Sequence, residues 1–162
     1  MEMITDAFAK AYADKKITCV AGLEARGFLF GPMIAVKLGV GFVALRKPGK
    51  LPGVVLRETY MKEYGPDTIE LQDGLIPKGA RVLIVDDLLA TGGTLVAAIR
   101  LLKQAGVEPY ACAIPIELTF LDGKKKVGLY VFFFRVSVRL DCVLCVQLLE
   151  AGMSNVLSLV SF

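Results

Sequence analysis

Two carboxylates, Asp86 and Asp87, stand side by side at the end of an apolar run, Val82-Leu83-Ile84-Val85. After Leu88-Leu89-Ala90 comes Thr91-Gly92-Gly93-Thr94. Gly92 and Gly93 allow the backbone to approach an anion closely and permit positive φ. Successive N–H groups at a helix start form an anion nest, reinforced by the helix dipole. The hydroxyls of Thr91 and Thr94 add donors, so this half of the stretch suits a phosphate. Asp86 and Asp87 suit the opposite kind of group. They accept hydrogen bonds from sugar hydroxyls or hold Mg²⁺ through water. Phosphate on one side and diol or metal on the other point to a phosphorylated sugar. The plainer alternative is a strand end with a solvated acid pair and a flexible turn. No Gly-Lys-Ser/Thr follows, so this is not a Walker loop, and the Gly-x-Gly-x-x-Gly dinucleotide fingerprint is absent.

Two other stretches carry groups for a second anion. Gly22-Leu23-Glu24-Ala25-Arg26-Gly27 places Arg26 between small residues at a helix start, where its fork can clamp a phosphate bidentately. Its alternative is a surface pair with Glu24. Arg46-Lys47-Pro48-Gly49-Lys50 is basic and turn-rich. Arg46, Lys47 and Lys50 can neutralise a pyrophosphate, and Glu63 and Tyr64 can close over a reacting bond. The alternative there is a solvated basic loop. Arg57 and Glu58 can pair with each other and receive no role. The chain has no His, so proton transfer must use carboxylate, Tyr, Lys or water.

The elements that must position these groups follow from pattern. Val82 to Val85 reads as a parallel strand buried on both faces. Leu95, Ala98, Ile99 and Leu102 share one helical face after Thr94, and Gly106 sits where a helix end wants a left-handed residue. Ligands in open α/β sheets lie at the carboxyl ends of strands, where this loop falls. Met1 to Asp14 reads as an amphipathic helix through Ile4, Phe8, Ala11 and Tyr12. Ile17 to Ala21 is a strand, and Phe28 to Leu38 a helix in which Pro32 fits only in the first turn. Val40 to Leu45 is a strand. Arg46 to Thr68 has little core-forming pattern and reads as a lid. Ile69 to Leu71 is a short strand, Val107 to Pro115 a longer one, Lys124 to Lys126 part of a solvated turn, and Gly128 to Phe134 a last strand.

Composition narrows the class. A chain of 162 residues is one domain by the usual prior, and 55% apolar content excludes global disorder. A net charge of +3 does not argue for nucleic acid. The start has no basic, apolar leader pattern, and the most apolar region carries Arg135, Arg139 and Asp141, so neither export nor a membrane span is expected. Four Cys in such a chain read as reduced thiols, which implies a cytoplasmic setting. Cys142-Val143-Leu144-Cys145 has no second pair and no His to complete a zinc site.

Val85-Asp86-Asp87-Leu88-Leu89-Ala90-Thr91-Gly92-Gly93-Thr94 resembles the 5-phosphoribosyl-1-pyrophosphate (PRPP) motif of type I phosphoribosyltransferases, in the wording of the adenine-specific members. Ala21-Gly22-Leu23-Glu24-Ala25-Arg26-Gly27-Phe28, Arg46 to Pro52 and Glu63-Tyr64-Gly65 match other motifs of that family. The resemblance covers roughly Ile4 to Phe133. It implies an α/β fold with a central, mostly parallel sheet flanked by helices and a flexible catalytic loop. It implies conversion of adenine and PRPP to AMP and pyrophosphate, with Mg²⁺, in a homodimer. Asp86, Asp87, Ala90, Thr91, Gly92, Gly93 and Thr94 would bind the ribose and 5′-phosphate. Glu24, Ala25 and Arg26 would form the pyrophosphate loop, with a cis peptide at Glu24–Ala25. Arg46, Lys47 and Lys50 would contact pyrophosphate, the basic segment reaching the neighbouring subunit's site. Glu63 would handle the adenine proton, Tyr64 would pack over the site, and Glu117 would face it.

Both ends depart from the family wording. Its members open with a Phe-Pro-x-Pro-Gly segment that helps grip adenine, and nothing like it precedes the match. The expected division is therefore a phosphoribosyltransferase domain over 1–134 with an incomplete base grip, and a divergent apolar tail over 135–162. The alternative to an active enzyme is a non-catalytic PRPP-binding or dimer-partner homologue.

Overall fold

The computed structural model describes residues 1–62, 65–128 and 131–132. Glu63, Tyr64, the Cys142–Cys145 pair and the 135–162 tail lie outside the described residues, so the expectations placed on them are not addressed by the fold.

Five parallel strands form the central sheet, in the order β2-β1-β5-β7-β9. They are β1 (Cys19–Leu23), β2 (Gly41–Leu45), β5 (Arg81–Val85), β7 (Glu108–Ala113) and β9 (Val131–Phe132). Helices α1 (Glu2–Tyr12) and α2 (Gly27–Leu38) cover one face, and α3 (Gly93–Gln104) covers the other. The alternation of side chains along each strand divides the core between these faces. Val20, Leu83, Val85, Ala111 and Ala113 meet Phe8, Tyr12, Phe30 and Ile34 from α1 and α2. Cys19, Ala21, Leu23, Val82, Ile84 and Cys112 meet Leu95, Ile99 and Leu102 from α3. Val82 to Val85 are wholly buried, as a central strand covered on both sides requires. Each large aliphatic side chain so buried contributes about 1.5–3 kcal/mol.

Three expectations need correction. Pro32 is inside α2, in its second turn rather than its first. An interior proline costs about 3 kcal/mol or more; burial of Phe30, Ile34 and Ala35 against the sheet offsets it. The stretch after Arg46 is not patternless. Residues β3 (Val55–Lys62) and β4 (Gly65–Gln72) pair antiparallel, with Val55 opposite Gln72 and Lys62 opposite Gly65. Tyr60, Ile69 and Leu71 of this ribbon are buried in the α3-side core. The three lysines after Asp122 are exposed as expected, but lie in a short helix, α4 (Gly123–Val127), not a turn.

A small parallel pair, β6 (Leu88–Leu89) with β8 (Ile116–Glu117), anchors the loop between β5 and α3. The Leu118 N–H donates to the Leu89 carbonyl at 2.9 Å, and the Ile116 N–H to the Asp87 carbonyl at 3.2 Å. The acid pair and the Thr-Gly-Gly-Thr turn are thus held on both flanks. Among the described residues no helix is long and apolar enough to cross a membrane.

Candidate active site

The carboxyl ends of β1, β2 and β5 open into one cleft of about 350 Å³. From the loop after β1 it receives Glu24, Ala25 and Arg26; from β5 and the turn beyond, Asp86, Asp87, Leu88, Ala90, Thr91, Gly93 and Thr94. Lys47, just after β2, and Lys62, at the end of β3, complete the lining.

The turn is shaped by glycine at one position only. Gly92 caps α3 with φ +78, and a Cβ there would stand 2.8 Å from the Gly123 carbonyl oxygen. Gly93 is helical and needs no positive φ, so the freedom expected of both glycines is used by Gly92 alone. The first amides of α3 have no partner within the helix and remain available to an anion.

The loop after β1 holds a cis peptide between Glu24 and Ala25. The Glu24 carboxylate does not pair with Arg26. It accepts from the Lys47 N–H at 2.9 Å and from Arg46 Nε at 3.1 Å and Nη2 at 3.3 Å. These donors, the Lys47 amide first, hold its pKa below the ordinary value. Arg46 also donates to the Lys50 carbonyl at 3.2 Å, which closes the basic turn onto the β1 loop. Arg26 instead pairs with Asp87. The two groups assigned from sequence to different parts of a ligand thus meet each other across the cleft.

The Asp87 N–H donates to Asp86 Oδ1 at 2.9 Å. Burial, reinforced by the charge of Asp87, pushes the Asp86 carboxyl up to about 7. Its folded value exceeds the unfolded value near 3.9, so the native state binds more protons between these limits. Stability from this group is therefore undiminished below pH 4 and falls as pH rises to about 7. Asp86→Asn keeps an acceptor for the Asp87 amide and removes the charge. Thermal melts should show it more stable than the parent by about 1–2 kcal/mol at pH 8, a value discounted for solvent reaching a half-buried group. The difference should vanish towards pH 4; an equal gain at both pH values would contradict the buried-charge account.

Of the residues expected from sequence, Glu24, Ala25, Arg26, Lys47, Asp86, Asp87, Ala90, Thr91, Gly93 and Thr94 line the cleft. Arg46, Lys50, Gly92 and Glu117 are not among its lining. Lys47 lines this chain's own cleft, whereas the resemblance sends the basic segment to a neighbour. Lys62, Tyr60 and Asp67 were missed. Tyr60 Oη donates to Asp67 Oδ2 at 3.1 Å and lies 3.1 Å from Thr94 Oγ1, so it ties the ribbon to the first turn of α3. Glu58 secures the same docking by accepting from Gln104 Nε2 at 2.8 Å, with Arg100 at 3.6 Å. The alternation around Thr59, Tyr60 and Met61, which pair with Thr68, Asp67 and Pro66, was the available signal.

Among the described residues no group of three or more His, Cys, Asp or Glu gathers as metal ligands. Asp86 and Asp87 are two carboxylates, one of them already on Arg26. That donor set does not make an all-protein cage, but it suits a Mg²⁺ that keeps its waters and arrives on phosphate oxygens. The described thiols are buried and free; burial pushes Cys19 up to about 11 and Cys112 up to about 12, which keeps both unreactive.

A family model described as the phosphoribosyl transferase domain matches residues 1–141. Adenine phosphoribosyltransferase 1, chloroplastic, of Arabidopsis thaliana is 57% identical over 121 residues, which are 75% of this chain and 50% of that protein. Adenine phosphoribosyltransferase 1 of Triticum aestivum is 55% identical over 124 residues, 76% of this chain and 68% of that protein. The chain thus spans half the length of the first relative and about two thirds of the second. The crystal structure of the Saccharomyces cerevisiae adenine phosphoribosyltransferase, complexed with an imino-altritol bisphosphate and adenine, superposes with a TM-score of 0.77 at 46% identity. That superposition covers 82% of this chain and 77% of the yeast chain. The acid pair, the glycine turn and the cis-peptide loop sit in a parallel α/β sheet, and with these matches the chain belongs to the phosphoribosyl transferase family, among its adenine phosphoribosyltransferases.

Proposed function

We propose that the chain transfers a phosphoribosyl group from PRPP to adenine, forming AMP and releasing pyrophosphate. One observation carries this reading. The amide-rich start of α3, the Asp86–Asp87 pair and the cations Arg26 and Lys47 line a single cleft, one set for each part of PRPP. Thr91, Gly93, Thr94 and the α3 amides would hold the 5′-phosphate. Asp86 and Asp87 would accept from the ribose hydroxyls. Arg26 would leave Asp87 for the pyrophosphate, where its fork finds a better-matched anion.

The reaction breaks the bond from C1′ to the pyrophosphate oxygen and forms one from C1′ to an adenine ring nitrogen. Negative charge develops on the leaving group, and cations already in place stabilise it without reorganisation. Mg²⁺, bound through phosphate oxygens and water beside Asp86 and Asp87, would neutralise further charge. Glu63 is the proposed acceptor of the adenine proton and Tyr64 a cover for the site, both on resemblance alone. Arg46 and Lys50 stand outside the cleft lining, which suits a role towards a second subunit. Leu29 and Val36 expose apolar surface on α2, which supports a homodimer as part of the proposal. A cytoplasmic setting rests on the thiol reading.

The test is a screen of free bases for pyrophosphate release with PRPP and Mg²⁺. Release with adenine above other purines and pyrimidines is expected. Measurable PRPP binding with no release for any base would replace this reading with that of a non-catalytic PRPP-binding homologue.

A further inference from the structure

Two lysines share one carboxylate at the rim of the cleft. Lys47 Nζ and Lys62 Nζ both pair with Asp67 Oδ2. Lys62 comes from the end of β3, and its ammonium lies over the Tyr60 ring, 5.5 Å from the centroid. Asp67 also accepts from Tyr60 Oη at 3.1 Å and, on its other oxygen, from the Thr68 N–H at 2.9 Å. Tyr60 Oη in turn meets Thr94 Oγ1 at 3.1 Å. Burial alone would raise the Asp67 pKa, yet the two ammonium groups and the hydrogen-bond donors hold it well below the carboxylate range. Asp67 is therefore an anion throughout the working pH range, and the cluster carries one positive charge in excess.

We propose that Lys62 is an additional phosphate-contacting residue of the PRPP site, paired with Asp67 until an incoming phosphate takes it. The proposal rests on the reading of the cleft as a PRPP site. Lys62 lines the cleft alongside Thr91, Gly93 and Thr94. One lysine suffices to pair Asp67, so the second ammonium is under-compensated. An incoming phosphate carries more charge than half a share of one carboxylate and takes the second ammonium by simple competition. The Tyr60 ring supports the ammonium near the Thr94 turn, so little side-chain ordering is left to occur on binding. The rival account makes Lys62 a strap that only holds the ribbon tip.

Lys62→Met keeps the stem and removes the charge, and Asp67→Asn keeps the shape and releases both lysines. The full chain is assayed with Mg²⁺ for its KM for PRPP and for adenine at two ionic strengths. For Lys62→Met the KM for PRPP should rise about ten-fold, the loss of one charge-assisted hydrogen bond, with the KM for adenine unchanged. Its salt dependence should weaken, and Lys62→Arg should restore both. For Asp67→Asn the KM for PRPP should fall. A strap predicts the same direction for both variants, so a rise in both, or no change in Lys62→Met, overturns the proposal. If the parent does not turn over, calorimetric binding of inorganic pyrophosphate and of ribose 5-phosphate replaces the assay, and the ligand weakened by Lys62→Met identifies the phosphate contacted. A parent that binds neither sinks the PRPP-site reading itself. If Lys62→Met binds every ligand that the parent binds just as tightly as the parent does, only the role of Lys62 is sunk.

Discussion

Gly123→Ala is expected to lower kcat/KM for PRPP about 100-fold and stability by about 1–3 kcal/mol. A Cβ at this position would stand 2.0 Å from the Ala90 carbonyl oxygen and 3.0 Å from Leu89 Cδ1. The first contact is with backbone, so no side-chain rotation relieves it. Either α4 or the Ala90–Gly92 turn must move. The turn is pinned on its other side by the β6–β8 pair and by the Leu118 amide on the Leu89 carbonyl. The Gly92 site is closed by Gly123 as well, since a Cβ on Gly92 would meet the Gly123 carbonyl at 2.8 Å. The two glycines thus let α4 sit directly on the phosphate turn. A displacement of about 1 Å there misplaces the α3 amides relative to the acid pair, which is enough for a loss of that size. Steady-state kinetics and a thermal melt check it. Parental kinetics with a parental melt would show that α4 does not brace the turn.

Asp87→Ala is expected to abolish most activity, by about 100- to 1,000-fold in kcat/KM, with little change in stability. The carboxylate is the group proposed to accept from the ribose, and hydrogen bonds to a charged group contribute about 1.5–3 kcal/mol each. Its present partner, Arg26, has a side chain 66% exposed, so the pair itself adds little to the fold. The variant also frees Arg26, and free pyrophosphate should bind it at least as well as it binds the parent. Titration calorimetry with PRPP and with inorganic pyrophosphate separates the two effects. Undiminished PRPP affinity in Asp87→Ala would remove the acid pair from the sugar site.

The chemistry of this site is local, and for that reason the chain alone reveals most of it. Val82 to Thr94 combines a buried strand, an acid pair and a glycine turn within thirteen consecutive residues. A strand followed by a helix can place those groups in one way only, at the carboxyl end of the sheet. The Gly22–Gly27 loop repeats the same logic, and the sheet places its Arg26 against Asp87. Periodicity likewise exposes α3, because Leu95, Ile99 and Leu102 bury a face whatever the sheet order.

Contacts between distant segments were decided by tertiary structure. Glu24 looks like a partner for Arg26 two residues away, but a neighbouring strand brings Arg46 and the Lys47 amide closer to it. Asp67 lies in a stretch with little core-forming pattern, and only strand pairing sets it opposite Tyr60 and between two lysines. Gly123 carries no signal at all, since its need for a missing side chain comes from the backbone of Ala90, far away in the chain. Residue type and spacing determine which groups can do chemistry and which strand ends carry them. Packing determines which of those groups are already paired, because a partner is chosen by distance in space and pattern measures only distance along the chain.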